Sequence, residues 1–162
     1  MRRSYTIAGI LTVVIVLLDQ ATKVWIQNHI PLMRTVEVIP GYFNIVHVLN
    51  RGSAFGFLNR PDLPWVVYFF FCATALAVLL IWHLLKTVPD DDTLLIVGLG
   101  CILGGAVGNL IDRIRLGEVV DFLDVFYKQY HWPAFNVADI AITIGSMTLV
   151  FAFIFMRRGD PK

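Results

Sequence analysis

The sequence is poor in charged residues. Of its 162 residues only 15% are Asp, Glu, Lys or Arg, whereas 57% are hydrophobic, and soluble domains carry about 25% charged residues. A soluble domain of this size would expose large apolar patches that promote aggregation. The formal net charge is +1, so the basic patch typical of nucleic-acid binding is also missing. The composition therefore excludes a soluble domain and a nucleic-acid partner and indicates a membrane protein.

The sequence has only two cysteines, and its four histidines form no cluster. The two cysteines, Cys72 and Cys101, lie inside apolar runs, where they form neither a disulfide framework nor a metal-binding spacing. Neither cysteine has a plausible neighbouring base. The four histidines are scattered and give neither an HExxH motif nor a serine–histidine–acid arrangement. We therefore expect no metal and no organic cofactor.

Long hydrophobic runs are abundant. Each approaches the ~20 residues with which a helix crosses the ~30 Å hydrocarbon core of a bilayer. The first run is the least regular, because it must pass Asp19 and Lys23. The predicted transmembrane helices cover residues 5–26, 65–85, 94–113 and 138–156, all within one integral membrane domain over residues 1–162.

The N-terminus has an alternative interpretation. Arg2 and Arg3 followed by an apolar run resemble the start of a cleaved signal peptide, but no small-x-small cleavage pattern follows. The loops do not fix the orientation, because six Lys or Arg residues lie on each side of the predicted helices. The arginine pairs at residues 2–3 and 157–158 favour both termini on the cytoplasmic side.

Two long loops lie on the side opposite the termini. In residues 29–64, alternation from Phe43 to Asn50 predicts a short strand or hairpin at the membrane surface. Residues 115–133 carry aromatic side chains suited to the membrane interface. On the other side, the short turn with Asp90, Asp91 and Asp92 is interpreted as a solvated hinge. The predicted fold class is an all-α membrane protein with four transmembrane helices, a small extracytoplasmic β-sheet and a long outer loop.

Several polar residues stand where the membrane makes them costly. Asp19 and Lys23 share a helix face and can form an ion pair, with the lysine reaching towards the interface; contact with a substrate is the alternative. Asn109, Asp112 and Arg113 recur at i, i+3 and i+4 below a glycine-rich run. The glycines allow another helix, or a substrate helix, to approach closely. The polar trio lines a cavity or, alternatively, Asp112 and Arg113 form a structural ion pair.

The fourth helix opens with polar residues. Asn136, Asp139, Thr143 and Ser146 form a polar stripe on an apolar helix. Alternatively, Asn136 and Asp139 form a capping arrangement at the helix N-terminus. Asp121 lies at the membrane edge, between apolar neighbours.

Asp121 and Asp139 are predicted at one membrane depth. Two carboxylates held close share a proton, so one can activate a water while the other donates to a scissile carbonyl. The same pair could serve as a proton relay in a transporter. A structural membrane scaffold is a third possibility.

Five motifs appear in a fixed order along the chain. They are DQATK (19–23), NRGSAF (50–55), GGAVGNLIDR (104–113), VDF (120–122) and FNVAD (135–139). In this order they resemble the bacterial lipoprotein signal peptidases, the signal peptidase II family, over essentially the whole chain. The resemblance implies an aspartic endopeptidase of the bacterial cytoplasmic (inner) membrane. Such enzymes remove signal peptides from diacylglyceryl-modified prolipoproteins by cutting just before the lipid-modified cysteine.

The resemblance also implies roles for individual residues. The catalytic pair falls on Asp121 and Asp139; Asp112 competes for the first of these roles, but we interpret it as a partner of Arg113. Asp124 falls in no motif and receives no role. Residues expected to bind substrate or support the site are Asp19, Lys23, Asn50, Gly52, Gly105, Asn109, Asp112, Arg113, Asn136 and Ala138.

The resemblance implies partners and a location as well. We expect lipid-modified prolipoproteins and membrane lipids as partners, a monomer, cytoplasmic termini and an active site near the outer face. The lipid chains and signal peptide are expected in a groove opened by the glycines around Gly105.

Overall fold

The computed structural model describes residues 2–52 and 65–156. Residues 53–55 of the second motif and the arginine pair at 157–158 lie outside this part of the chain. The elements are α1 (Arg3–His29), β1 (Thr35–Ile39), β2 (Phe43–Asn50), α2 (Trp65–Thr87), α3 (Thr93–Leu116), β3 (Val119–Tyr127), β4 (Tyr130–His131) and α4 (Val137–Phe151), which continues as a π-helical turn over Ala152–Met156.

The four predicted membrane-spanning helices are confirmed. In the described part of the chain, four helices are long and apolar enough to cross a bilayer, and most of their large apolar side chains face outward. The first helix is longer than predicted, since α1 continues without a break through Asp19 and Lys23 to His29. The helix can carry Asp19 and Lys23 through the membrane because both residues have polar partners within the bundle.

Helix α3 is the centre of the bundle and packs against each of the other three helices. Its glycines make the close approach possible. A Cβ atom built at Gly104 would lie 2.8 Å from Ile15 of α1, and one at Gly105 would overlap the carbonyl oxygen of Ala138 in α4. The prediction that the glycines serve a helix interface is therefore confirmed, and the approaching elements are α1 and α4.

We expect Gly105→Ala to separate α3 from α4 and lower stability by about 1–3 kcal/mol, because the new methyl group would overlap backbone that cannot move alone. Gly9→Ala is a matched control within a helix, since a Cβ there meets nothing within 4 Å. Thermal unfolding in detergent micelles compares the two variants. A Gly105→Ala protein as stable as Gly9→Ala would contradict the packing argument.

A four-stranded antiparallel sheet in the order β1-β2-β3-β4 lies at one end of the helices. The predicted strand is confirmed as β2, Phe43–Asn50. Its simple alternation is interrupted by a register shift against β3 between Ile45 and Val48. The second long loop also contributes strands, which its aromatic composition did not predict. Gly117, with φ +76°, ends α3 and lets the chain enter β3 directly.

The turn between α2 and α3 lies at the other end of the bundle. The Asp92 side chain caps α3 by accepting from Leu95 N at 3.1 Å. The carboxylate of Asp90 lies 3.4 Å from Arg2 Nε and accepts from Ser4 N at 3.3 Å. The interpretation of this turn as a simple solvated hinge is therefore wrong, because two of its aspartates hold helix ends in place.

Candidate active site

A cavity of about 680 Å³ lies between α2, α3, α4 and the sheet. Its walls are mainly apolar, as is usual for ligand sites. A few polar groups converge at the sheet end of the helices. The cavity is lined, among others, by Asn50, Gly52, Phe70, Ala73, Thr74, Ala77, Ala106, Asn109, Arg113, Asp121, Trp132, Phe135, Asp139 and Thr143.

Asp139 lies in the first turn of α4 and borders this cavity. Its Oδ2 accepts from Asn136 N at 3.2 Å, while the Asn136 side chain accepts from Asp139 N at 3.0 Å. The predicted capping arrangement is thus confirmed. The second carboxylate oxygen, Oδ1, accepts from Asn109 Nδ2 at 2.9 Å. Capping fixes the carboxyl group of Asp139 without removing it from the cavity.

Asp121 reaches the same cavity from β3 and is 3% exposed. Its Oδ1 accepts from Asn136 Nδ2 at 2.7 Å, and its Oδ2 accepts from Asn50 Nδ2 at 3.0 Å. Burial raises the pKa of Asp121 to about 7, with a further contribution from the negative charge of Asp139. The two amide donors and the charge of Lys23 oppose this pKa rise. Asp121 and Asp139 therefore line the same cavity.

Two asparagines connect these carboxyl groups. Asn136 donates through Nδ2 to Asp121 and, at 3.2 Å, to Asn109 Oδ1. Lys23 Nζ donates to the same Asn109 oxygen at 3.0 Å. Since Lys23 can only donate, the Asn109 oxygen must face it, and the Asn109 amide nitrogen must face Asp139. The orientation of the amide beside Asp139 is therefore set by Lys23.

Lys23 lies at the centre of a buried ion cluster. Its Nζ lies 2.9 Å from Asp19 Oδ2 and 2.8 Å from Asp112 Oδ2. With Asn109, these acceptors use all three ammonium protons. The predicted pairing of Asp19 with Lys23 is confirmed, but the predicted approach of the lysine to the interface is wrong. Lys23 is 1% exposed, because α3 supplies two of its three partners.

Both carboxylate oxygens of Asp112 have partners in or beside this cluster. It accepts from Gln20 Nε2 at 2.9 Å and from Val120 N at 3.1 Å, in addition to Lys23. The predicted pairing of Asp112 with Arg113 is wrong, because adjacent residues of a helix point in different directions. Gln20 was missed in the sequence, although it lies within the first motif.

Arg113 faces the cavity instead. Its Nη2 donates to Gly52 O at 3.1 Å, and its guanidinium lies 4.6 Å from the ring centroid of Phe70 in α2. Arg113 thus links α2, α3 and the end of β2 at the cavity wall. Phe70 was missed because nothing in its apolar run distinguishes it from lipid-facing neighbours.

Gly105 and Ala138 lie behind the site. Gly105 closes α3 against α4 at Ala138, and neither residue lines the cavity. The prediction that glycines around Gly105 open a groove is therefore wrong, because the cavity lies on the α2 side of α3. Ala138 N donates to Asp19 Oδ1 at 2.9 Å, so the start of α4 is tied to the ion cluster.

Carboxyl groups that face an apolar cavity between membrane-spanning helices define a multi-pass membrane protein with an enzyme-like site. Residues 11–155 match the family model for Signal peptidase (SPase) II. The chain is 50% identical over 149 residues to the lipoprotein signal peptidase of Maridesulfovibrio salexigens, an alignment that covers 92% of this chain and 96% of that protein. It is 44% identical to the lipoprotein signal peptidase of Geobacter metallireducens over 162 residues, which cover 100% and 99% of the two chains.

The fold is similar to that of a solved bacterial membrane enzyme. The TM-score is 0.80 at 30% identity, and the match covers 96% of this chain and 92% of the other. The chain belongs to the signal peptidase II family. It is therefore a multi-pass membrane protease of lipoprotein processing. This membership rules out the transporter and scaffold alternatives.

Proposed function

We propose that the chain is an aspartic endopeptidase in which Asp121 and Asp139 activate the water that cleaves the substrate. It removes signal peptides from diacylglyceryl-modified prolipoproteins, and it cuts just before the lipid-modified cysteine. The observation that carries this proposal is the placement of both carboxyl groups on one cavity wall, each fixed by amide donors. We leave Asp112 out of the pair because Lys23, Gln20 and Val120 N contact its oxygens, and Asp112 does not line the cavity.

We assign the single proton of the pair to Asp121, whose pKa burial raises to about 7, and the role of base to Asp139. The water oxygen bonds to the scissile carbonyl carbon while Asp139 takes a water proton and Asp121 protonates the carbonyl oxygen. The C–N bond then breaks as Asp139 returns its proton to the leaving nitrogen and one hydroxyl proton of the intermediate goes to Asp121. The products are a carboxylic acid on the signal peptide and a free amine on the lipid-modified cysteine.

The cavity walls support a lipidated substrate. Small side chains of α2 and α3, at Ala73, Ala77 and Ala106, leave an apolar space that continues from the carboxyl groups along the helices. Acyl chains in this space would hold the peptide carbonyl against the water, so binding energy from the lipid would be used for positioning. Arg113 and Asn50 stand at the polar end, where the peptide backbone would lie.

The proposed orientation places the termini in the cytoplasm and the site near the outer face of the bacterial inner membrane. Arg2 and Lys86 lie together at the end opposite the sheet, where the Arg2 side chain donates to Lys86 O. Lys and Arg residues beside the ends of membrane-spanning helices favour the cytoplasmic side. We propose a monomer, since the cavity and its polar wall are built from one chain.

Cleavage should fall as the pH rises through about 7. Asp121 is needed in its protonated form, and its pKa lies near 7, so kcat/KM should drop about tenfold per pH unit above that value. Because the pKa of Asp121 is higher in the folded protein, the protonated carboxyl group contributes to stability at low pH. This contribution is lost as the pH rises through about 7. Thermal unfolding at each pH must therefore accompany the rate measurement. A kcat/KM that rises through pH 7 would make Asp121 the base instead.

A lipopeptide assay tests the proposed function. Purified protein in micelles receives a signal-peptide substrate with a diacylglyceryl cysteine, and the same peptide without lipid serves as the control. Mass spectrometry should show cleavage just before the cysteine of the lipidated peptide only, and a chelator or serine and thiol reagents should not prevent it. Cleavage elsewhere, or loss of cleavage with a chelator, would overturn the proposed mechanism.

A further inference from the structure

Asp124 lies outside the catalytic pair, yet it is 7% exposed. It stands three positions after Asp121 on β3, so the two side chains point to opposite faces of the strand. Asp124 does not line the cavity. A buried carboxylate on the far face of the sheet requires partners, since an unpaired one would be costly.

Two side chains from neighbouring strands supply them. Asn44, its register partner on β2, donates through Nδ2 to Asp124 Oδ2 at 2.9 Å. His131 of β4 places Nδ1 2.8 Å from Oδ1 and 3.1 Å from Oδ2. The His131 ring also stacks on Phe126, at 4.6 Å between centroids and 6° between planes. We name Asn44, Asp124 and His131 the sheet clamp.

The sheet clamp adds side-chain contacts to a hairpin with a short ladder. Strand β4 has only two residues and two register pairs with β3, and the turn before it contains Lys128 with φ +56°, a conformation that costs free energy for a residue with a side chain. So short a ladder gives little stability of its own. The charge-assisted contact of His131 with Asp124 is stronger than a neutral hydrogen bond.

The segment after His131 forms a wall of the cavity. Trp132 and Phe135 line it, together with the two residues between them. The backbone of this segment is anchored at its ends, by Trp132 N to Val125 O at 2.8 Å and by Phe135 N to Leu123 O at 3.1 Å. Asn136 follows directly. A shift of His131 would therefore move the wall that begins at the next residue.

We propose that the sheet clamp positions the Trp132–Phe135 wall and thereby sets the affinity of the cavity for its lipidated substrate. His131 and Asp124 are positioning residues in this scheme, which rests on the proposed function of the cavity. The clamp acts on substrate binding, because Asn50 of β2 and Asn109 of α3 hold Asp121 and Asp139 independently of the wall segment. Its loss should raise KM and leave kcat nearly unchanged.

Three variants test the proposal in the lipopeptide assay. His131→Leu removes the donor and should raise KM about tenfold with kcat within about twofold. His131→Asn keeps a nitrogen at the same distance along the side chain and should restore KM to within about twofold of the unmodified protein. Tyr130→Leu is the matched control, since Tyr130 is an exposed residue of the same strand and should change neither constant.

Hydrogen exchange of the Trp132 and Phe135 amides gives a readout that does not depend on activity. His131→Leu should accelerate exchange at both amides, and His131→Asn should not. Unchanged protection in His131→Leu, a fall in kcat at constant KM, or failure of His131→Asn to restore KM would each overturn the clamp. If the unmodified protein cleaves no lipopeptide, the proposed function fails, while the exchange measurement still decides whether the clamp holds the wall.

Discussion

Lys23→Met is expected to lower the stability of the protein by about 3–5 kcal/mol, the usual effect of removing one partner from a buried ion cluster. The ammonium group has contacts with Asp19, Asp112 and Asn109 at 2.8–3.0 Å. Methionine has a similar length but leaves two buried carboxylates without their counter-charge. Thermal unfolding in micelles measures the effect. Lys86→Met is the control, because Lys86 is an exposed lysine at the end of α2.

Two further variants separate charge from geometry at Lys23. Lys23→Arg should also be unstable, because a planar guanidinium cannot direct its donors to three acceptors arranged around a point charge. Adding Asp112→Asn to Lys23→Met should recover part of the stability, since one uncompensated charge is removed. A Lys23→Met protein as stable as Lys86→Met would show that the cluster contributes little to the fold.

Asp121→Asn and Asp139→Asn should each reduce kcat for the lipopeptide at least about 10³-fold, because the pair needs one group that releases a proton and one that accepts it. Stability should fall by about 1–3 kcal/mol in each variant, because the new amide nitrogen faces an asparagine donor, Asn50 or Asn136 at position 121 and Asn109 at position 139. Asparagine resembles the protonated form of Asp121, the form that burial favours. At position 139 an amide oxygen can still accept from Asn136 N and maintain the cap.

The double variant tests whether the two residues act as a unit. Residues of one catalytic group give strongly non-additive losses, so Asp121→Asn/Asp139→Asn should be about as inactive as either single variant. Asp91→Asn is the matched control, since Asp91 is exposed in the turn between α2 and α3. Multiplicative losses in the double variant would instead indicate two independent contributions.

Local patterns predicted much of the fold. Apolar runs predicted the four helices, and the i, i+4 spacing of Asp19 and Lys23 predicted their ion pair. The spacing of Asn136 and Asp139 gave the cap of α4. In each case the interacting groups are close in the chain, so spacing alone carries the information.

Contacts between distant segments could not be predicted in this way. The pairing of Lys23 with Asp112 joins α1 to α3 over 89 positions of the sequence, and no periodicity reports it. Strand β3 was missed because both of its faces are largely buried, so it lacks the alternation of a half-buried strand. The clamp at Asp124 depends on the register of three strands, which only the folded sheet defines.

The most direct test of the proposed pair is the single-turnover cleavage rate of the diacylglyceryl lipopeptide by Asp121→Asn and Asp112→Asn, measured side by side in the same micelles. Both rates are normalised to the folded fraction, since Asp112 also contributes to the buried ion cluster. A loss of at least about 10³-fold for Asp121→Asn, with measurable cleavage by folded Asp112→Asn, is the predicted result. An active Asp121→Asn beside a folded but inactive Asp112→Asn would contradict it and assign the second catalytic carboxyl group to Asp112.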